Sequence, residues 1–578
     1  MANELILQLP RSARRLLPNR WDLIAFPLII GLLALAATGA QEALAPLSGP
    51  GAETISLDPA GLPEYALRST LRMLAALLVS LLFTFICGTL AAKSRRAEKV
   101  LVPVLDILQS VPVLGYISFT VVFFLALFPG RILGAELAAI FAIFTSQAWN
   151  MTFSFYQSLR TLPRDLVEVA SSMRLTAWQT FWKLEVPFAM PGLVWNMMMS
   201  MSGGWFFIVA AEAITVGDKS IALPGVGSYL AAAIAGSKLS AIGWVVLAMA
   251  VVIILYDQLL FRPMVAWADR FRLEDTNAQS APNSWVLKLI RRTHLIQRAL
   301  RPLGRGLRKL ARMRIEVSLP AAAIAETPRA SKAIGAIWGA LLAGAAGYAL
   351  WRLTGYIGSE VGMDELFRVI GLGFLTLLRV LILIVAASLV WVPLGVMIGL
   401  RPRLAEKIQP LAQFLAAFPA NLLFPVFVIG IVHFKLDPDI WLSPLIVLGV
   451  QWYILFNVIA GASAFPNDLR EAAVNFRIRG WQRWRKVMLP AIFPYYVTGA
   501  IAASGGAWNA SIVSEAVSWG NTSLAAHGLG AFIAQATAAG DHPRILLGIA
   551  VMAAMVVCFN RLLWRPLYAI AENKLRLN

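Results

Sequence analysis

Glu168, Trp178 and Pro187 recur as Glu471, Trp481 and Pro490, each pair of numbers differing by 303. Ala170 and Arg174 recur at the same interval as Ala473 and Arg477, and Ala472 stands beside Glu471. These residues supply carboxylates, indoles and cations, but no nucleophile held beside a base. Each copy is polar and basic and lies between long apolar runs, so its chemistry is that of a surface for docking another protein in water. A second set sits inside the apolar runs. Arg72 and Arg379 fall there, and an arginine in hydrocarbon costs about 2.5–3.5 kcal/mol on insertion scales. Either the two cations face an anionic substrate, or they pair with Glu212 and Glu515 or snorkel to headgroups. Trp205 and Trp508, also 303 apart and beside paired glycines, either allow close helix packing or line a central cavity together with Asn509. Arg72, Arg379, Trp205, Trp508, Asn509, Glu212 and Glu515 are thus the candidates for a substrate pathway.

Other chemistries lack their residues. No Gly-x-x-x-x-Gly-Lys-Ser/Thr phosphate loop occurs; Gly217-Asp218-Lys219-Ser220 is a look-alike without the Gly-Lys pair. The four histidines are scattered without metal-ligand spacing, and Cys87 and Cys558 both lie in apolar segments. No catalytic residue, metal site or bound cofactor is expected on this chain.

The elements that position these residues follow from composition. The chain has 578 residues, 59% hydrophobic and 14% charged, too apolar for an ordinary soluble domain. Runs of about 18–25 apolar residues can cross a hydrocarbon core as helices, the conformation that satisfies its own backbone there. The expectation is an all-α polytopic membrane protein of about twelve transmembrane helices in two tandem six-helix repeats. In the first repeat the helices span about 22–39, 67–92, 100–128 (broken by Pro103 and Pro112), 137–155, 191–213 and 242–261. In the second they span about 334–353, 367–400, 408–434, 440–460, 490–517 and 545–563. The formal charge of +19 reads as Lys and Arg gathered in cytoplasmic loops, not as a nucleic-acid site. Lys93-Ser94-Arg95-Arg96 and the polar stretch then face the cytoplasm, and the acidic loop after the first helix faces outside. Domains are expected at 1–268 (core 66–265, docking loop 160–190), 269–330 and 331–578 (core 366–568, docking loop 463–493). The middle segment is a linker with no Asp or Glu between Lys288 and Arg314. Trp285, Leu289, Leu295 and Leu300 have helical spacing there, which suits either a basic amphipathic helix on anionic lipid or a solvated tether.

Within each docking loop a short helix-turn-helix is expected. Pro163 and Pro466 begin it, Glu168 and Glu471 lie near its positive end, and Pro187 and Pro490 stop the following helix before the membrane. This pattern resembles the EAA loop of type I ABC importer permeases, the binding-protein-dependent inner-membrane components. Glu168-Val169-Ala170 with Val186-Pro187, and Glu471-Ala472-Ala473 with Leu489-Pro490, carry the likeness. The family's glycine is replaced by Arg174 and Arg477, the same change in both copies. Gly203-Gly204-Trp205 through Glu212, Gly505-Gly506 through Glu515, and the segments 223–227 and 527–531 resemble the nitrate/sulfonate/taurine/bicarbonate branch. The resemblance implies two such units fused in one chain in a bacterial inner membrane, with both termini cytoplasmic. It implies two cytoplasmic ATPase subunits, which carry the ATP and Mg, and a periplasmic or lipid-anchored substrate-binding protein. An ion-coupled secondary transporter with two six-helix halves is the alternative.

Overall fold

The computed structural model describes residues 55–271, 284–315 and 361–574, apart from 111, 217–218, 464, 466–470 and 474, with isolated positions between 339 and 360. The expected first helix of each repeat (22–39 and 334–353) and Pro466 lie outside the described residues or reach them only at isolated positions. The first half contains α1 (Pro59–Lys93), α2 (Arg95–Ser110), α3 (Val113–Leu127), α4 (Ile132–Arg160), α5 (Arg164–Ser172) and α6 (Ala177–Glu212). A hairpin of β1 (Ala213–Val216) and β2 (Lys219–Ala222) follows, then α7 (Val226–Ala235) and α8 (Leu239–Phe271). Two helices lie in the linker, α9 (Trp285–Arg292) and α10 (His294–Arg312). The second half contains α11 (Met363–Gly399), α12 (Pro402–Ala417), α13 (Ala420–His433), α14 (Pro438–Leu448), α15 (Gln451–Ser463) and α16 (Gly480–Ser514). It ends with β3 (Ala516–Trp519), β4 (Thr522–Ala525), α17 (Leu529–Ala539) and α18 (His542–Ala571).

Among the described residues seven helices are long and apolar enough to cross a membrane, or nine if each bent pair counts as one span. The bends are 73° between α12 and α13 and 43° between α14 and α15. The expected third helix of the first half is two helices, α2 and α3, each shorter than 18 residues and parted at Pro112, whereas Pro103 sits inside α2 without ending it. Leucines such as Leu82 and Leu389 are exposed on the outer faces of these apolar helices, and the buried positions are mostly alanine, glycine and branched residues that allow close approach.

The prolines of the docking loops do not stop a helix. Pro187 lies inside the continuous α6 and Pro490 inside α16. In each, one π turn immediately precedes the proline: Val186 N–H donates to Phe181 O, and Leu489 N–H to Trp484 O. The same device precedes Pro263 in α8 and Pro566 in α18, where Arg262 donates to Asp257 O and Arg565 to Asn560 O. Proline has no N–H, and its ring clashes with the carbonyl four residues back. Widening the turn by one residue moves that carbonyl aside, so the helix continues. The expected stop is therefore corrected to a bulge, and the helices after the loops begin at Ala177 and Gly480 rather than near Pro191 and Pro490.

The halves interlock through the breaks in their third segments. Val113 N–H, at the start of α3, donates to Asn509 Oδ1 on α16 at 2.7 Å. At the matching place Asn421 Nδ2 donates to Phe206 O on α6 at 3.0 Å. Gly520 N–H in the second hairpin donates to Ile234 O on α7 of the first half at 2.9 Å. Both hairpins consequently lie at one end of the molecule, here the hairpin face, and both docking loops at the other, the loop face.

Candidate functional site

Arg72 is 5% exposed and engaged on three sides. Its Nε and Nη2 donate to the two Glu136 oxygens at 2.6 Å, and its Nη1 to Glu212 Oε1 at 2.7 Å and Pro224 O at 2.9 Å. Glu212 is fully buried and also accepts from Ser69 Oγ at 2.6 Å and Gly227 N–H at 2.7 Å. The second half repeats the cluster. Arg379 Nη1 donates to Glu515 Oε1 at 3.2 Å and His527 O at 2.9 Å, and its Nη2 to Asp439 Oδ1 at 2.9 Å. Glu515 accepts from Thr376 Oγ1 at 2.9 Å and Gly530 N–H at 2.8 Å. The geometry is that of pairing with Glu212 and Glu515, and it adds Glu136 and Asp439, which the sequence reading missed. They too differ by 303, the one signal that marked them.

Each cluster is closed by a glycine strap after the hairpin. Residues 223–227 fold back so that Leu223 N–H donates to Glu212 O at 2.9 Å; Ala526 N–H does the same to Glu515 O at 2.8 Å. A Cβ on Gly225 would collide with the Glu212 carboxylate and one on Gly528 with that of Glu515. On Gly227 and Gly530 it would strike the backbone of Val209 and Ser511. The Gly-x-Gly spacing is thus the shape of a backbone wrapped around a buried carboxylate.

Trp205 and Trp508 pack in the cores and do not line either of the two cavities that lie between the halves. Trp205 is 0% exposed and stacks on Tyr256 with ring centroids 5.8 Å apart. Its cluster includes Ala417 and Leu422 from the break of the other half, and the cluster of Trp508 includes Leu114 from the first. Asn509 does line a cavity of about 70 Å³ between the halves, with Ser202, Phe206, Phe418, Trp452 and Tyr453. No charged side chain is among the described residues that line it. A larger cavity of about 310 Å³ shares Met199, Ser202 and Ala416 with it and reaches Asp257 and Arg262 on α8.

At the loop face α5 presents Glu168, Val169 and Met173 to solvent while Ala170 is buried. In the second loop Glu471 and Phe476 are exposed and Ala473 is buried. The alternation explains the motif: the small residue packs inward and the carboxylate stays outside. Arg174 and Arg477 adopt left-handed backbone, φ 49° and 53°. Arg174 N–H bonds Ser171 O at 2.9 Å and Leu175 N–H bonds Ala170 O at 3.1 Å, the paired bonds of a Schellman helix end. Ile478 N–H to Ala473 O at 2.9 Å is the counterpart. The glycine turn of the family is therefore kept by arginine, against a steric preference of about 1–2 kcal/mol. Thr176 and Gln179 then open α6 with a reciprocal capping box, and Lys93 Nζ meets Glu185 at 2.9 Å, tying α1 to the loop.

Replacing Arg72 by Gln strands two carboxylates and should lower stability by about 3–5 kcal/mol. Arg72→Gln/Glu212→Gln should recover part of that loss, read as thermal unfolding midpoints in detergent. A single variant as stable as the parent would refute the pairing account. Arg174→Gly and Arg477→Gly remove the left-handed penalty but add unfolded-chain entropy of about 0.4–1 kcal/mol. Each should therefore stabilise its turn by about 0.5–1 kcal/mol, measured as slower amide exchange over 170–176 or 473–479.

A family model described as "Binding-protein-dependent transport system inner membrane component" matches residues 80–266 and again 391–570. The chain is similar to the bicarbonate transport system permease protein CmpB of Synechococcus elongatus, with 28% identity over 175 residues, 30% of this chain and 60% of that protein. It is similar to the nitrate import permease protein NrtB of Leptolyngbya laminosa, with 25% identity over 187 residues, 32% of this chain and 63% of that protein. It is also similar to the glycine betaine/carnitine transport permease protein GbuB of Listeria monocytogenes, with 31% identity over 135 residues, 22% of this chain and 45% of that protein. The chain thus matches less than two thirds of the length of these relatives. With the two matched stretches covering more than half of the sequence, the chain belongs to the family of binding-protein-dependent transport system inner membrane components and carries two of its units.

Proposed function

We propose that this chain is the complete membrane pathway of an ATP-driven importer, with both permease units in one polypeptide. The observation that carries the reading is the doubled loop: two exposed glutamates, two buried alanines and two left-handed turns, repeated at one end of the molecule. Two cytoplasmic ABC ATPases would dock there, one on each loop, and would supply ATP and Mg. The loop face is then cytoplasmic, in keeping with the basic residues Lys93, Arg160 and Lys183 around it. The hairpin face would receive solute from a periplasmic or lipid-anchored binding protein. The linked cavities between the halves would hold solute in transit. Their closure would follow the α3 and α13 breaks, which each half inserts into the other. The rigid buried clusters would make each half move as a body.

The solute in this reading is a small anion such as nitrate, bicarbonate, a sulfonate or taurine; the relatives lend support to the first two. A second reading, a quaternary ammonium solute, has its own observation. The central cavity is walled by Phe206, Phe418, Trp452 and Tyr453, aromatic faces attract such cations, and one relative is a betaine/carnitine permease.

Co-production of the chain with the ABC ATPase of its own gene cluster should yield a complex of one chain with two ATPases. Glu168→Lys/Glu471→Lys should reduce the retained ATPase at least tenfold, about 1.4 kcal/mol. A chain that binds no ATPase yet takes up solute down an ion gradient would replace this reading with the secondary transporter, and intact co-purification in the double variant would overturn the docking role of the two glutamates. Competition of labelled nitrate or bicarbonate uptake by unlabelled glycine betaine separates the two solute classes.

A further inference from the structure

The two docking loops carry the same Trp-Gln pair but are not in the same state. In the first loop Trp178 Nε1 donates to Leu310 O at 2.7 Å and Gln179 Nε2 to Arg312 O at 2.9 Å. Both acceptors belong to the last turn of α10, where carbonyls have no partner within the helix. The loop therefore caps the linker helix. In the second loop Trp481 is 72% exposed and Gln482 is exposed, and neither holds a helix end among the described residues. The far side of the linker is also anchored, since Trp285 Nε1 on α9 donates to Gln258 Oε1 on α8 at 3.3 Å. With a rise of about 1.5 Å per residue, α10 is a rod of roughly 28 Å laid across the loop face of the first half.

Its surface is divided. Arg301, Arg305, Arg308 and Arg312 follow one another at intervals of three and four, so they share a side of the helix, and with Lys309 they are exposed. Leu307 and Leu310 are 56% and 40% exposed, and they fall on the opposite side by the same periodicity. No described residue covers the cationic or this apolar surface. The charge is of one sign, with no acid from Lys288 to Arg314. A helix with bare leucines opposite a row of cations, held where membrane-spanning helices end, fits the boundary between acyl chains and anionic headgroups. Such headgroups attract basic residues by about 1 kcal/mol each near the surface.

We propose that α10 binds anionic phospholipid at the loop face and passes that contact to the first docking loop through Trp178 and Gln179, leaving the second loop untouched. The partner is the headgroup layer, identified by charge complementarity and by the exposed leucines. The proposal needs the loop face to be a membrane boundary and does not depend on the ATPase reading.

The test is amide hydrogen exchange of the full chain in nanodiscs of phosphatidylcholine alone and of phosphatidylcholine mixed with phosphatidylglycerol. Residues 294–312 and 176–182 should exchange about tenfold more slowly in the anionic discs, and residues 479–485 should not change. Raised salt should cancel the difference. Arg301→Gln/Arg305→Gln/Arg308→Gln/Lys309→Gln should abolish it in both segments. Equal exchange in the two bilayers overturns the lipid partner, as does an effect that survives in the variant or in high salt. Equal responses in 176–182 and 479–485 overturn the one-sided transmission. Because no ATPase is present, these results are independent of whether the ATPases bind.

Discussion

The constraint on which the rest depends is the burial of charge. Each half holds a guanidinium between two carboxylates against an apolar bundle, and for the buried Arg72, Glu212 and Glu515 that placement would be prohibitive alone. The surroundings are arranged to make it tolerable. Ser69 and Thr376 each donate to the deep carboxylate and accept from the strap, and Gly227 and Gly530 supply backbone N–H groups at 2.7 and 2.8 Å. The hairpins follow from this need: β1–β2 and β3–β4 turn the chain so that its own backbone can return to Glu212 and Glu515. One cluster thereby ties together the helix bearing the arginine, the segment bearing Glu136 or Asp439, the end of α6 or α16, and the strap. Each half is thus cross-linked most densely by charge at its hairpin face.

Movement between the two halves has to pass through the interlocked breaks. Asn421 and the Val113 backbone each reach across to the other half's fifth helix at Phe206 and Asn509, positions that correspond in the two repeats. In one direction a side-chain amide meets a backbone carbonyl, and in the other a backbone N–H meets a side-chain carbonyl. The polar exchange is conserved although the residues differ. The cavity sits beside these contacts, so sliding one break along its groove changes the cavity without disturbing either ion cluster. The π turns add a second accommodation. They let proline sit inside four long helices, with a local widening near the loop face where the helices leave the bundle.

What the sequence made legible was what repeats and what is apolar. The long apolar runs, the doubled loop and the internal duplication could be read because hydropathy and a constant interval survive without knowledge of contacts. The pairing of Arg72 with Glu212 could be framed but not chosen, because residues 140 positions apart meet only in three dimensions. Glu136 and Asp439 went unread because an acid at the start of an apolar helix reads as a cap or a surface charge, although the interval of 303 pointed to both. Pro187 and Pro490 misled because proline was weighed as a helix breaker, while the π turn that absorbs it lies in the residues before it. The linker's amphipathic spacing was visible, but its attachment was not. Trp178 and Trp481 are identical letters, and only the fold distinguishes the one that holds a helix end from the one that faces solvent.

That difference shows what fusion of the two units permits. Two separate copies of one chain would be bound to equivalence, and every change in one would appear in the other. Here the symmetric parts are those under the strictest physical demand: the buried clusters, the straps, the left-handed turns and the bulges before proline. The parts that diverge are those where surroundings are permissive. Glu136 is shielded whereas Asp439 is more exposed and also bonds the backbone and ring of His527. Phe206 faces the cavity in one half and Asn509 in the other. Among the described residues the linker helices meet the first loop, through Trp178 and Gln179, and not the second. Asymmetry at the loop face is thus compatible with a Trp-Gln pair repeated in both loops, because one copy holds a helix end and the other does not.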